Sequence, residues 1–215
     1  MTNSQTKQKV MSAACQLFYT KGYHGTSVRD IAHSASVNVS LINYYFKSKQ
    51  GLLESIVTSY YEQYMAVLEG TITDTEALSK IDRLKQMIAT IIHYKQEQHQ
   101  FTCFIHRELS LDSVFVREMM VTYLAKENYL INNVFKEALR DAGITNLDLQ
   151  FLYVQLKGLL NSPYSSANEW KTLVNWNQSQ DFFAKKYVHL ICRWIDHLSE
   201  GLSLDERSKP SILSR

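Results

Sequence analysis

The sequence predicts an all-α fold, and three observations predict it. Only two prolines and seven glycines occur in 215 residues, so little interrupts helix. Apolar residues recur at three- and four-residue steps through most of the chain, with no run of strict alternation. Residue types that cap free backbone N–H groups stand at the start of three of these segments, at Thr26 or Ser27, at Asn38 and at Asp112 or Ser113. A hydrophobic content of 45% supplies a sizeable core. The expected organisation is a three-helix head over residues 1–50, a helical body over 51–205 and a flexible tail over 206–215.

Thr6 to Lys21 reads as the first helix, with Val10, Ala14, Leu17 and Phe18 buried and Gly22 as its stop. A second, short helix starts at Thr26 or Ser27, with Asp30 in its first turn, and buries Val28, Ile31, Ala32 and Ala35. Asn38 caps a third helix whose inner face is Ile42 and Phe46. A fourth, Gln50 to about Glu69, carries Leu52, Leu53, Ile56, Val57, Tyr60, Tyr61, Tyr64 and Leu68, and Gly70 to Thr75 reads as a linker. Glu76 to Gln98 is the fifth helix, with Leu78 on its apolar face, and Phe101 to Leu109 the sixth. The seventh runs from a cap at Asp112 or Ser113 to about Asp141. Leu147 to Ser162 is the eighth, stopped by Pro163. An irregular aromatic stretch with Tyr164, Trp170 and Trp176 precedes a last helix from Gln180 to Glu200.

The second and third helices meet at a tight turn, the pattern of a helix-turn-helix that sets one helix into a DNA major groove. On the third, Val39, Ser40, Asn43 and Tyr44 are left for the outer face. Ser40 and Asn43 can hydrogen-bond to base edges, and Val39 can touch a thymine methyl. Arg29 can reach a base or a phosphate; Tyr44, Lys47 and Lys49 suit phosphates, with Lys49 near a helix start. Thr26, Asn38 and Tyr45 complete the candidate DNA-binding set. The alternative is an ordinary helical corner with solvated lysines.

Leu17 to Ala32 (LFYTKGYHGTSVRDIA) and Asn43 to Leu53 (NYYFKSKQGLL) resemble the two signature segments of the TetR/AcrR regulators, "LF…KGY…T(S/T)…IA" and "YYHFKSKEELL". The resemblance covers about residues 6 to 65. It departs at Asn43, where an aromatic is usual, at Tyr45, where histidine is usual, and at Leu41, where threonine is common, which bears on base preference rather than on fold. It implies a TetR-like architecture with a dimerisation and regulatory body. It also implies a homodimer whose eighth and last helices pair in a four-helix bundle, which reads an inverted repeat in double-stranded DNA. Leu152, Leu156, Leu159, Tyr187, Ile191, Trp194 and Leu198 are the expected interface. Family members often hold a small-molecule effector in the body; Phe104, Met119, Tyr123, Phe151, Tyr153, Tyr164 and Trp170 are the candidates for lining such a pocket, or else for plain core. The segments Phe104 to Ser113 and Val116 to Leu124 also resemble a Bacillus branch of the family associated with cell division and chromosome capture at sporulation. That likeness implies a body that contacts a protein partner, with Arg107, Glu108, Arg117 and Glu118 as surface contacts or as local ion pairs.

Charge agrees with a DNA-binding head. Residues 1–50 hold six lysines and arginines against Asp30, a net +5, while the remainder holds 17 basic and 20 acidic residues. An uneven solvated surface would show the same split. No apolar run spans a bilayer, and the polar start Met1 to Gln5 lacks the core of a signal peptide, so a cytoplasmic, nucleoid-associated protein without a membrane partner is expected. Cys15, Cys103 and Cys192 read as reduced thiols. Cys192 with Asp196, beside His189 and His197, fits a metal poorly, and Cys103 with His106 lacks the orienting group of a nucleophilic site. No catalytic residue, cofactor or metal is expected.

Overall fold

The computed structural model describes residues 3–110, 114–174 and 180–200, with side chains over 4–107, 121–174 and 181–200. These residues form ten α-helices, and no strand occurs among them. The tail, Trp176, and the expected cap at Asp112 or Ser113 lie outside them.

The head contains α1 (Asn3–Lys21), α2 (Val28–Ala35) and α3 (Val39–Phe46). Gly22, at φ 76°, ends α1 in the left-handed region that a Cβ disfavours. Ser27 opens α2 with a reciprocal capping box: its hydroxyl accepts from the Asp30 amide at 3.1 Å, and its own amide donates to the Asp30 carboxylate at 2.9 Å. Asn38 caps α3 by accepting from the Ser40 amide at 2.9 Å. Val10, Ala14, Phe18, Ile31, Ala35, Ile42 and Phe46 close the head's interior.

Helix α4 (Lys49–Asp74) runs from the head into the body. It continues through the expected linker at Gly70: hydroxyls of Thr71, Thr73 and Thr75 bond back to carbonyls four residues earlier, and Thr71 also donates to Thr90 at 3.1 Å. The body follows with α5 (Lys80–Glu97), α6 (His99–Ser110), α7 (Val114–Leu139), α8 (Asn146–Ser165), α9 (Ala167–Leu173) and α10 (Gln180–Ser199). Ser79 caps α5, so Leu78 precedes the helix and is exposed rather than part of its buried face.

Pro163 does not stop α8. A proline removes the amide that would bond the carbonyl four residues back. Here the Tyr187 hydroxyl of α10 donates to that carbonyl, Leu159 O, at 2.8 Å. The helix therefore continues to Ser165 with the orphaned acceptor satisfied. The stretch expected to be irregular contains α9, held by the Trp170 indole N–H on Ser162 Oγ at 2.9 Å.

One hydrophobic core runs from head to body. Its spine is a succession of rings: Tyr23 on Phe18, Phe18 on Phe104, Phe104 on Phe101, Phe101 on Tyr60 and Tyr60 on Tyr94, with centroids 5.3–5.7 Å apart. Beside it, the Glu127 carboxylate of α7 accepts from Tyr64 of α4 at 2.8 Å and Lys157 of α8 at 3.3 Å, and lies 3.7 Å from Lys95 of α5. Four helices thus meet at one buried carboxylate. Burial pushes its pKa up, but the two ammonium groups and the phenol outweigh that and hold it below the ordinary value. Lys95 also donates to Asn161 Oδ1 at 2.7 Å, which satisfies an ammonium buried among apolar neighbours.

Candidate nucleic-acid interface

Helices α2 and α3 turn their apolar sides inward, which leaves one continuous polar edge. Arg29 on α2 and Ser40, Asn43, Tyr44 and Lys47 on or just beyond α3 are exposed, Tyr44 at 68%. Asn38 sits at the α3 start, its side-chain oxygen occupied by the Ser40 amide and hydroxyl. Val39 and Tyr45 are half-buried and pack on the core, so they flank the edge rather than crown it. Lys47 ends α3 at φ 65°, a strained conformation for a residue with a Cβ, and its ammonium lies 3.4 Å from the Tyr44 carbonyl. Lys7 of α1 lies over the Phe46 ring at 5.7 Å. At the far end of α2, the Ser27 hydroxyl and amide hold the Asp30 carboxyl below its usual range, with Lys21 adding to the effect.

Two residues expected at the DNA face are committed elsewhere. Thr26 is 1% exposed, and its hydroxyl donates to the Gly22 and Leu17 carbonyls at 2.8 and 3.2 Å, so it closes the α1–α2 corner. Lys49 turns back on the same corner. Its ammonium donates to Tyr23 O and Thr26 O, both at 2.9 Å, and sits 4.3 Å over the Tyr23 ring. Sequence reasoning placed Lys49 near a phosphate because it lies at a helix start; the acceptors that hold it lie 26 and 23 residues away.

The expected body pocket does not gather among the described residues. Phe104 and Tyr164 are buried in the core, with the Tyr164 hydroxyl on Ile92 O at 3.2 Å. Tyr123 stacks on Tyr61 at 5.2 Å, Tyr153 donates to Asn128 O at 3.1 Å, and Trp170 packs edge-on against Tyr187 at 5.1 Å. Phe151 is 62% exposed on the outside of α8. Met119 lies outside the described side chains, as do Glu108, Arg117 and Glu118. Arg107 is exposed, and its guanidinium donates to Phe18 O at 2.7 Å and Tyr19 O at 3.1 Å.

The expected dimer set divides in two. Leu156, Tyr187, Ile191 and Leu198 are buried within the chain itself, so they belong to its own core. Leu152, Leu159 and Trp194 are half-buried and pack against that core. Leu147, Phe151 and Val154 of α8 and Phe182 and Leu190 of α10 are all at least half exposed. A groove of about 760 Å³ joins the two helices, lined by Gly158, Leu159, Leu190 and Trp194.

The other candidate groups are buried or paired. Burial pushes the Cys15 thiol up to about 12 and Cys103 up to about 11, so both are protonated at neutral pH. His106 is pulled down to about 3 by burial, then by Lys95, and is neutral. Cys103 lies beside His99, at 3.7 Å. Asp196 of the supposed metal group is paired with Lys85. No described helix is long and apolar enough to cross a membrane.

Residues 10–56 match the sequence profile described as bacterial regulatory proteins, tetR family. The Bacillus subtilis "Probable HTH-type transcriptional regulator YttP" is 38% identical over 190 residues, covering 88% of this chain and 92% of that protein. The chain belongs to the TetR family of bacterial regulators. Its TetR-family fold is shared by a tetR-family regulatory protein from Rhodococcus RHA1, with TM-score 0.70 and 17% identity over 88% of this chain and 96% of that one. It is shared too by the Bacillus subtilis regulator FadR in complex with stearoyl-CoA, with TM-score 0.66 and 18% identity over 86% and 97%. The chain is thus a helix-turn-helix transcriptional regulator of TetR type.

Proposed function

We propose that this regulator binds an inverted repeat in double-stranded DNA as a homodimer and represses the genes beside it from the cytoplasmic nucleoid. The observation that carries this reading is the edge formed by Ser40, Asn43 and Tyr44, flanked by Arg29 and Lys47 and backed by a rigid core. Ser40 and Asn43 suit hydrogen bonds to base edges, while Arg29, Tyr44 and Lys47 suit phosphates. One such edge reads few base pairs, and two-fold pairing doubles the site and fixes its geometry. The apolar surface of α8 and α10 supports pairing, because a cluster of half-exposed Leu, Phe and Val side chains is costly to leave in water.

What the body senses divides two versions of this reading. The first is an inducible repressor that releases DNA when a small-molecule effector fills the body; a cavity of about 430 Å³ between α1, α4 and the α5–α6 corner, lined by Met11, Ile56, Tyr60, Tyr94 and Phe101, supports it. The alternative is a regulator of cell division or chromosome positioning, of the kind the resemblance of Phe104 to Leu124 implies, that works through a protein partner with no inducer. The test is genome-wide selection of fragments bound by the purified protein. Sites beside a transport or metabolic gene support the inducible repressor, sites scattered around the chromosome support the partner-driven version, and no enriched site contradicts both.

A further inference from the structure

We propose that Arg107 is a positioning residue for DNA binding, a latch through which the body fixes the separation of the two recognition helices. The inference rests on the dimeric DNA-binding reading and adds the device that sets its geometry.

The head joins the body covalently through α4 alone. A single helix resists bending but leaves rotation of the head about its axis to be restrained by other contacts. The second attachment is α6 against the C-terminal end of α1. There Arg107 and Phe104, three residues apart and so on one face of α6, grip the same residue of the head. Phe104 stacks on the Phe18 ring at 5.5 Å, while Arg107 donates to the Phe18 carbonyl at 2.7 Å and the Tyr19 carbonyl at 3.1 Å. The guanidinium lies 5.7 Å from the Phe104 ring, so ring and cation brace one another.

Arginine suits this place for two reasons. The last carbonyls of a helix carry its partial negative charge, which a cation stabilises. Two adjacent carbonyls also present two acceptors that a planar fork can take at once, whereas an ammonium offers a single point of charge. Lys171 of α9 adds a third tie, 3.4 Å from the Tyr19 hydroxyl. On the other side of the corner, Lys49 takes Tyr23 O and Thr26 O. The α1–α2 corner is therefore held between one cation from the head's own frame and one from the body. In a dimer whose bodies are fused, loosening Arg107 frees each head to swing relative to its partner.

The test uses the full-length protein with Arg107→Ala and Arg107→Lys. The half-site selected by wild type is placed in inverted pairs whose spacer varies one base pair at a time. Wild type is expected to favour one spacer over its neighbours by about tenfold, within the roughly 5- to 150-fold span of coupling between sites. Arg107→Ala is expected to keep the half-site sequence while its spacer preference flattens to about twofold, and Arg107→Lys to fall between. An unchanged spacer profile in Arg107→Ala overturns the proposal. A wild type that selects no inverted repeat overturns the dimeric reading, and a second measurement then judges the latch by itself. In the free protein, amide hydrogen exchange over residues 18–26 is expected to quicken in Arg107→Ala while α5 and α8 keep wild-type protection. Unchanged exchange there overturns the latch whatever the DNA result.

Discussion

Replacing Lys49 with methionine separates two roles that a lysine in this position can fill. If the ammonium holds a phosphate, its loss weakens DNA binding through charge. If it holds the α1–α2 corner, as its two 2.9 Å bonds to Tyr23 O and Thr26 O and its place over the Tyr23 ring indicate, its loss weakens the fold. A hydrogen bond to a charged group contributes about 1.5–3 kcal/mol when well shielded. Lys49 is half-buried, so the two bonds and the ring contact together are worth about 2 kcal/mol after screening by water. In a chain of this size that lowers the unfolding midpoint by roughly 5 °C. The salt dependence of DNA affinity gives the independent reading. Each phosphate contact contributes about 0.9 to the slope of log K against log salt, so two copies of a phosphate-binding lysine contribute about 1.8. The expected result for Lys49→Met is a lower midpoint with the slope unchanged. Lys47→Met and Arg29→Gln, whose side chains are exposed, should lose slope and keep the midpoint. A Lys49→Met protein with wild-type midpoint and a slope reduced by about 1.8 would refute the reasoning.

Glu127→Ala strands Lys95, whose side chain is 5% exposed, and should cost about 3–5 kcal/mol in urea unfolding; a cost below about 1 kcal/mol would show the cluster to be solvated. Because the folded Glu127 carboxyl is held below its ordinary 4.5, the stability it lends is complete above that pH and is lost as the pH falls through the folded value; Glu127→Gln should remove this part of the acid dependence, as unfolding between pH 3 and 6 would register. Gly51→Ala places a Cβ against the Phe46 carbonyl at the α3–α4 turn and should destabilise by about 2 kcal/mol with loss of operator binding, whereas unaltered binding would mean that the turn can shift freely. Phe151→Glu with Leu190→Glu should give a folded monomer by sedimentation velocity, and a persisting dimer would place the interface elsewhere.

What was legible in the sequence was local. Gly22, the Ser27–Asp30 box and the Asn38 cap act over one helical turn, and each stands where its residue type requires. The contacts that fix the site are not local. Arg107 is exposed, yet it meets carbonyls 88 and 89 residues away, which no local pattern reveals. Pro163 reads as a helix stop until Tyr187, far along the chain, supplies the missing donor. Which sides of α8 and α10 the chain covers by itself is hidden for a related reason. Helices α8 and α10 are apolar on more than one side, and periodicity says that a side is apolar without saying whether its partner is the same chain or another. Leu156 and Ile191 took the inner side, and Phe151 and Leu190 were left outside.

The most direct test of the central claim is selection of bound sequences from a fully random DNA pool by the purified protein, with the mass of the selected complex measured in solution. The account predicts one enriched inverted repeat carrying two protomers, lost in Asn43→Ala with Tyr44→Ala. Weak, salt-sensitive binding with no enriched motif, or a motif unaffected by that double substitution, would contradict it.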